Sequence, residues 1–335
     1  MDKSRIEQKA LNNNFQLFTG LSLVFGLSVF FLFIGFISFE MTHQKPNPKL
    51  ARGKSKPYAS SSSGSSNQSS PYRNLWKAPS TNELPNDPNS ELVRYGKELI
   101  VHTAKYLGPK GSIAQISNGL NCQNCHLEAG TTPFGNNYGG VFSTYPKVRP
   151  RSEKMVDIPQ RINSCFQRSL NGQTLALESK EMKAILAYIE WLGKEVPKGE
   201  KPEGAGLIPL AYLDRAADPK KGHSIYDAEC ARCHGNDGEG KLFSDGVSYE
   251  YPPLWGPHAY NVSAGLFRLE KFARFVKANM PYGVTYSSPT LSDEEAWDLA
   301  AFVNSQPHPN KRFEGDWPNL LAKYTSSEPS GERSH

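Results

Sequence analysis

Cys122-Gln123-Asn124-Cys125-His126 and Cys230-Ala231-Arg232-Cys233-His234 repeat one pattern, C-x-x-C-H, in two places along the chain. The spacing has a mechanical meaning. Two thiols on one helical turn can reach the two vinyl groups of a haem, and the adjacent histidine then lies under the iron as proximal ligand. A structural zinc site would need four converging Cys or His ligands, and neither half offers a second pair. A thioredoxin-like redox pair would need neither the histidine nor a second copy. The sequence therefore predicts two covalently bound haem c groups. Their attachment residues are Cys122, Cys125, Cys230 and Cys233, with His126 and His234 as the iron ligands.

The flanks of the two motifs point to two copies of one small helical domain. Before each runs an amphipathic stretch in which a glycine is followed four residues later by an apolar residue, Gly96/Ile100 and Gly222/Tyr226. After each comes a second helical pattern: Met182, Ile185, Leu186, Ile189 and Leu192 in the first half, and Ala296, Trp297, Leu299, Ala300, Phe302 and Val303 in the second. The latter opens on Ser292 and Glu295 at capping-box spacing. A glycine on one helix lets another cross closely. The predicted fold is mainly α, with two tandem cytochrome-c-like haem domains. The copies differ in length, because Gly222 lies 8 residues before Cys230 and Gly96 lies 26 before Cys122. The extra residues, around Gly108 to Asn121, elaborate the first domain.

Outside these repeats the composition changes. The 335 residues carry 38 Lys and Arg against 33 Asp and Glu, a net charge of +5. All of that excess falls in residues 1–70, and the remainder is balanced. A nucleic-acid-binding module would carry a basic excess in its folded part, so nucleic acid is not an expected partner. From Leu17 to Phe39 run 23 uncharged, mostly apolar residues, enough at about 1.5 Å each to cross a hydrocarbon core of roughly 30 Å. No small-x-small cleavage site follows, so the stretch reads as an uncleaved transmembrane anchor rather than a signal peptide or a buried core helix. Ala51 to Pro71 is rich in Ser, Gly and Pro and reads as a flexible tether.

The expected organisation is thus a cytoplasmic N-terminus (1–16), a transmembrane anchor (17–39) and a Ser/Pro/Gly-rich linker (40–89). A first cytochrome c domain (90–197), an inter-domain linker (198–217), a second cytochrome c domain (218–323) and a disordered tail (324–335) follow. Basic residues flank the apolar stretch on both sides and leave its orientation open. Covalent haem assembly takes place on the outer side of the bacterial cytoplasmic membrane. The sequence is therefore expected to belong to a single-pass inner-membrane protein with its haem domains in the periplasm.

The sixth iron ligands differ between the halves. Met280 follows His234 by 46 residues in Asn279-Met280-Pro281, and a thioether there gives His/Met ligation, which suits electron transfer. The other reading is a core methionine. The first half has only Met155 and Met182, and Met182 falls on the apolar face of a helix. It does have an odd cysteine, Cys165, 39 residues after His126. A thiolate ligand places a soft, nucleophilic sulfur at the iron, whereas a buried inert thiol is the plainer alternative. Around it, residues 141–168 hold Lys147, Arg149, Arg151, Lys154, Arg161 and Arg168 against Glu153 and Asp157. Such arginines serve as a solvated face or as partners for haem propionates, and a guanidinium fork also binds sulfonate or sulfate oxyanions. If residues 160–168 are helical, Arg161 and Cys165 share a face.

Four segments carry a resemblance to the dihaem c-type thiosulfate dehydrogenases, also called tetrathionate reductases in the reverse direction. They are Asn121-Cys-Gln-Asn-Cys-His-Leu-Glu-Ala-Gly130, Gln160-Arg-Ile-Asn-Ser-Cys-Phe-Gln-Arg-Ser-Leu-Asn-Gly172, Cys230-Ala-Arg-Cys-His-Gly235 and Asn279-Met280-Pro281. The likeness spans about residues 90–323, and Arg-Ile-Asn-x-Cys is its specific part. It implies His126/Cys165 ligation at a catalytic haem and His234/Met280 ligation at an electron-exit haem. By position it implies substrate-binding roles for Arg151 and Arg161, with Gln160 beside them. The implied reaction joins two thiosulfates into tetrathionate and releases two electrons, through a transient adduct on Cys165, and the same parts would serve tetrathionate reduction. Some relatives carry a lysine where Asn279 stands and exchange it with the methionine, which an amide cannot do as an amine would. The implied electron partner is another c-type cytochrome or a membrane respiratory complex. Two other readings compete. One is a membrane-anchored dihaem electron-transfer cytochrome with no small-molecule substrate, which leaves Cys165 and its arginines unexplained. The other is a sulfur-oxidation haem subunit that loads thiosulfate onto a partner protein.

Overall fold

In each half of the protein two helices cross at a glycine, and the rest of the domain is assembled around that crossing. The structure is a computed structural model describing residues 72–318. Its longer helices are α1 (Pro88–Val101), α2 (Ile158–Arg168), α3 (Lys180–Gly193), α4 (Pro219–Glu229), α5 (Leu269–Asn279) and α6 (Asp293–Ser305). Their starts follow from local chemistry. Asp87, Asp157, Ser179, Asp218 and Ser292 each cap an N-terminus by accepting backbone N–H bonds. Ser292 and Glu295 form the predicted capping box.

Helix α1 packs on α3, and α4 packs on α6 in the same way. A Cβ built on Gly96 would stand 2.0 Å from the Ala184 carbonyl oxygen and 2.8 Å from Tyr188 Cβ. A Cβ on Gly222 would meet Asp298 O at 2.0 Å and Phe302 Cβ at 2.8 Å. In both domains the partner helix thus presents a carbonyl and, four residues on, an aromatic Cβ. Leu99, Ile100, Leu107, Phe166, Met182 and Tyr188 close the first core, and Tyr226, Phe272, Val276, Leu299 and Val303 the second. The architecture is mainly helical, in two tandem domains.

Gly96→Ala and Gly222→Ala follow as a stability test. Alanine gains about 1 kcal/mol of helix propensity, but overpacking against a backbone carbonyl costs about 3 kcal/mol or more. The net loss of roughly 2 kcal/mol should lower the melting temperature by about 4–8 °C, read by far-ultraviolet circular dichroism on the haem-loaded protein. A change under about 2 °C would show that the crossings are looser than described.

Two small antiparallel ribbons complete the described fold, β1 (Lys147–Arg149) with β2 (Lys154–Val156) and β3 (Lys241–Leu242) with β4 (Tyr249–Tyr251). The extra segment of the first domain, Gly108 to Asn121, runs beneath the loop that follows α2, where Asn118 N–H donates to Leu170 O and Gln173 N–H to Ile116 O. It also reaches the second domain, since Asn118 Nδ2 donates to His258 O (3.0 Å) and Ala259 O (3.2 Å). The insertion is part of the seam between the haem domains. Residues 309–317 cross the same seam, with Val262 N–H donating to Pro309 O and Lys311 Nζ to Gly172 O.

The anchor expected over 17–39 lies outside the described residues, as does the tail over 324–335. Among the described residues no helix is long and apolar enough to cross a membrane. The longest have 14 residues, or about 21 Å against a hydrocarbon core of roughly 30 Å. The expected single-pass inner-membrane placement is corrected on that ground.

Candidate functional site

The first C-x-x-C-H motif is held as a single helical turn, Cys122–Asn124, by bonds to the short helix Thr103–Leu107. Ala104 N–H donates to Asn121 Oδ1 at 2.8 Å, and Cys122 N–H donates to Thr103 Oγ1 at 3.0 Å. His126 Nδ1–H donates to Asn136 O at 2.6 Å, and its ring stacks on Tyr138 with centroids 4.5 Å apart. Burial holds this imidazole neutral by pushing its pKa down to about 4. The second motif repeats the arrangement at the end of α4. There His234 Nδ1–H donates to Pro252 O at 2.8 Å, and burial again lowers the pKa. In both halves the carbonyl fixes the tautomer that leaves Nε2 available as a ligand.

These residues fit a covalently held haem in each half. Two thiols stand one turn apart beside a neutral, oriented imidazole, and none of the five cysteines is in a disulfide. Tyr260 supports the fit at the first pocket. Its hydroxyl is buried with no hydrogen-bond partner among the described residues, and Cys125 lies close enough to act on it electrostatically. A pocket shaped for a prosthetic group with a polar edge presents such an orphan to that group.

Helix α2 brings the odd cysteine to this pocket. Its capping box joins Asp157 and Gln160, whose side-chain oxygen accepts the Asp157 N–H at 3.0 Å. Gln160 is thus an exposed capping residue in this structure. One turn on, Arg161 and Cys165 share a face. Cys165 is within electrostatic reach of Cys122, Cys125 and Tyr138, and Arg161 is within reach of His126. The two methionines of this half are placed elsewhere. Met182 is buried in the core on α3, and Met155 is exposed on β2.

Around the helix the arginines converge. Arg168 grips Asp316 with both ends of its fork, Nη1 to Oδ2 at 2.5 Å and Nη2 to Oδ1 at 2.9 Å. Arg151 Nη1 donates to Ser263 O and lies 3.7 Å from Asp316 Oδ2. Trp317 carries Arg151 and Arg268 on its ring, at 5.6 and 5.3 Å from the centroid. Burial, then the neighbouring Arg168, push the Arg151 guanidinium down to about 10, with Arg161 and Arg268 contributing in the same direction. Three guanidinium groups therefore lie within electrostatic reach of Arg151, two from the first domain and one from the second. Arg268, Asp316, Trp317 and Tyr260 are not among the residues expected from the sequence. Each comes from far along the chain, and no local pattern marks it.

At the second pocket Met280 follows directly on α5 and packs, partly buried, against the second core. Asn279 is buried, and its amide donates to Phe275 O at 2.9 Å and across the seam to Phe134 O at 3.1 Å. Lys277 is occupied on α6, with Nζ 2.7 Å from Leu291 O and 2.8 Å from Asp293 Oδ1. Position 279 is a fastener between the domains.

Both halves of the chain have known relatives. Residues 113–197 match the family described as SoxA/TsdA, cytochrome c domain, and residues 217–303 match cytochrome C oxidase, cbb3-type, subunit III. The chain is 41% identical over 218 residues to the thiosulfate dehydrogenase of Allochromatium vinosum, covering 63% of this chain and 79% of that protein. It is 34% identical over 255 residues to that of Stutzerimonas stutzeri, covering 76% and 80%. A solved thiosulfate dehydrogenase (TsdBA) from Marichromatium purpuratum superposes with a TM-score of 0.66 at 31% identity. It covers 76% of this chain, which spans about half (54%) of the solved one.

Proposed function

Since the chain belongs to the thiosulfate dehydrogenase family, we propose that it joins two thiosulfates into tetrathionate, with release of two electrons, at Cys165 in the first haem pocket. The observation that carries this assignment is α2. One short helix presents a free thiol and a guanidinium to the pocket of Cys122, Cys125 and His126, beside three further arginines.

The arginines answer the main physical obstacle, which is charge. Two dianions brought to about 5 Å repel each other by on the order of 10 kcal/mol at an effective dielectric of 20. Arg151 and Arg161 offset that repulsion and orient the sulfonate ends, so that the sulfane sulfurs meet near Cys165. The Cys165 thiolate then takes up the sulfane sulfur of one thiosulfate, forming Cys–S–S–SO3⁻ with loss of two electrons. The sulfane sulfur of the second attacks that bridging sulfur, tetrathionate leaves, and the thiolate is restored. When bound, the two haems would supply one-electron acceptors for the two electrons released.

His126 and Cys165 would hold the first iron, His234 and Met280 the second, with thioether links at Cys122, Cys125, Cys230 and Cys233. The burial of Met182 and the exposure of Met155 support a sulfur from Cys165 rather than a thioether at the first site. The match of the second half to an oxidase cytochrome subunit supports an electron-exit role there. The test is stoichiometric. Haem-loaded protein supplied with thiosulfate and ferricyanide should form one tetrathionate for each two thiosulfates consumed and two ferricyanides reduced. Absence of tetrathionate would reject the proposal.

A further inference from the structure

Residues 309–317 lie at the end of the described chain, beyond the second cytochrome match, yet they lead into the arginine cluster of the first domain. Several contacts hold them there. Ser263 Oγ donates to Lys311 O at 2.9 Å, Phe313 lies under Arg168 at 4.0 Å, and Trp317 N–H donates to Arg151 O at 2.6 Å. Asp316 is the carboxylate this strap delivers. It takes both Nη groups of Arg168, and only the Nη1 end of Arg151 is engaged among the described residues. Asp316 and Ser263 O thus hold Arg151 from one end of its fork, with Trp317 against its face. The edge formed by Nε and Nη2 is the pair of parallel donors that a sulfonate takes bidentately.

We propose that Asp316 is a positioning residue for the thiosulfate reaction: it neutralises Arg168, fixes Arg151 and so presents the Nε/Nη2 edge of Arg151 to a substrate sulfonate. This deepens the preceding assignment and rests on it. A lone arginine among like charges would swing away from them. One carboxylate shared by two guanidinium groups removes much of their repulsion and keeps both in place, and a second would cancel the attraction for an anion. The side chains of Asp316, Arg168 and Arg151 are only 14, 13 and 19% exposed, so solvent screens the arrangement weakly.

The experiment compares haem-loaded wild type with Asp316→Asn and Asp316→Glu in steady-state thiosulfate oxidation. Asparagine keeps the shape and one acceptor while removing the charge. It should raise KM about tenfold or more with kcat within about twofold, the mark of lost ground-state and transition-state binding alike. Glutamate should restore part of that loss, and the visible haem spectra of all three should coincide. Unchanged KM in Asp316→Asn would overturn the proposal. A lowered KM would also overturn it, showing Asp316 to be a carboxylate that competes with substrate for the arginines. Wild type without thiosulfate turnover would instead indict the reaction assignment.

Discussion

Replacing Cys165 with alanine should abolish thiosulfate turnover, by at least about a thousandfold, or roughly 4 kcal/mol of transition-state stabilisation, while both haems should remain attached. The two halves of that result have separate causes. Attachment depends on Cys122 with Cys125 and Cys230 with Cys233, each pair on its own short turn, and neither turn hydrogen-bonds to the Cys165 side chain among the described residues. Turnover depends on a nucleophilic sulfur beside the arginines, and alanine has none. Cys165 is only partly buried, so losing one sulfur atom costs too little packing to unfold the domain. Covalent haem content and circular dichroism separate a folded, inactive variant from an unstable one. Low-temperature electron paramagnetic resonance of the oxidised protein adds an independent reading. A thiolate-ligated low-spin signal should be present in wild type and missing in Cys165→Ala.

The same variant divides the enzyme from the carrier. A dihaem cytochrome whose task is only to pass electrons would be reduced and reoxidised by small mediators as well without Cys165 as with it. Retained tetrathionate formation in Cys165→Ala would reject the assignment of the sulfur. An absence of any thiolate signal in wild type would place that sulfur off the iron.

What could be read from the chain alone follows the range of the interactions involved. The C-x-x-C-H motifs, the glycines at 96 and 222 and the Ser292–Glu295 box act over a turn or two. Their residues stand together in the sequence as they do in the fold. Helix α2 is legible for the same reason, with Asp157, Arg161 and Cys165 spaced for a cap and a shared face. The arginine cluster is only half legible. Arg151, Arg161 and Arg168 lie within one stretch, whereas Arg268 and Asp316 are brought in by the seam, and nothing near them in sequence points toward the first domain. Gln160 shows the opposite limit. Its place beside Arg161 invites a role at the site, while the helix start uses its side chain to close a cap. The insertion from Gly108 to Asn121 had no sequence-level purpose, because its partners His258 and Ala259 belong to the other domain.

Arg161→Ala should lower kcat/KM for thiosulfate by about a hundredfold, or roughly 2.7 kcal/mol. Truncating one partner of a close charge pair costs about 2–5 kcal/mol, and two features place this case toward the lower end. Arg151, Arg168 and Arg268 remain within electrostatic reach of the same space, and the like charge of Arg161 is one of the influences that hold the Arg151 guanidinium down at about 10. Its removal therefore relaxes Arg151 while depriving the substrate of a donor. What those neighbours cannot replace is position, since Arg161 is on the face of α2 that carries Cys165 one turn later. Arg161→Lys keeps the charge without the planar fork and should fall between wild type and alanine. Saturation kinetics on haem-loaded protein, with ionic strength held constant, would measure the series. Ratios within about threefold of wild type for both variants would mean that the anion is held from the Arg151 side alone, and that Arg161 serves the haem rather than the substrate.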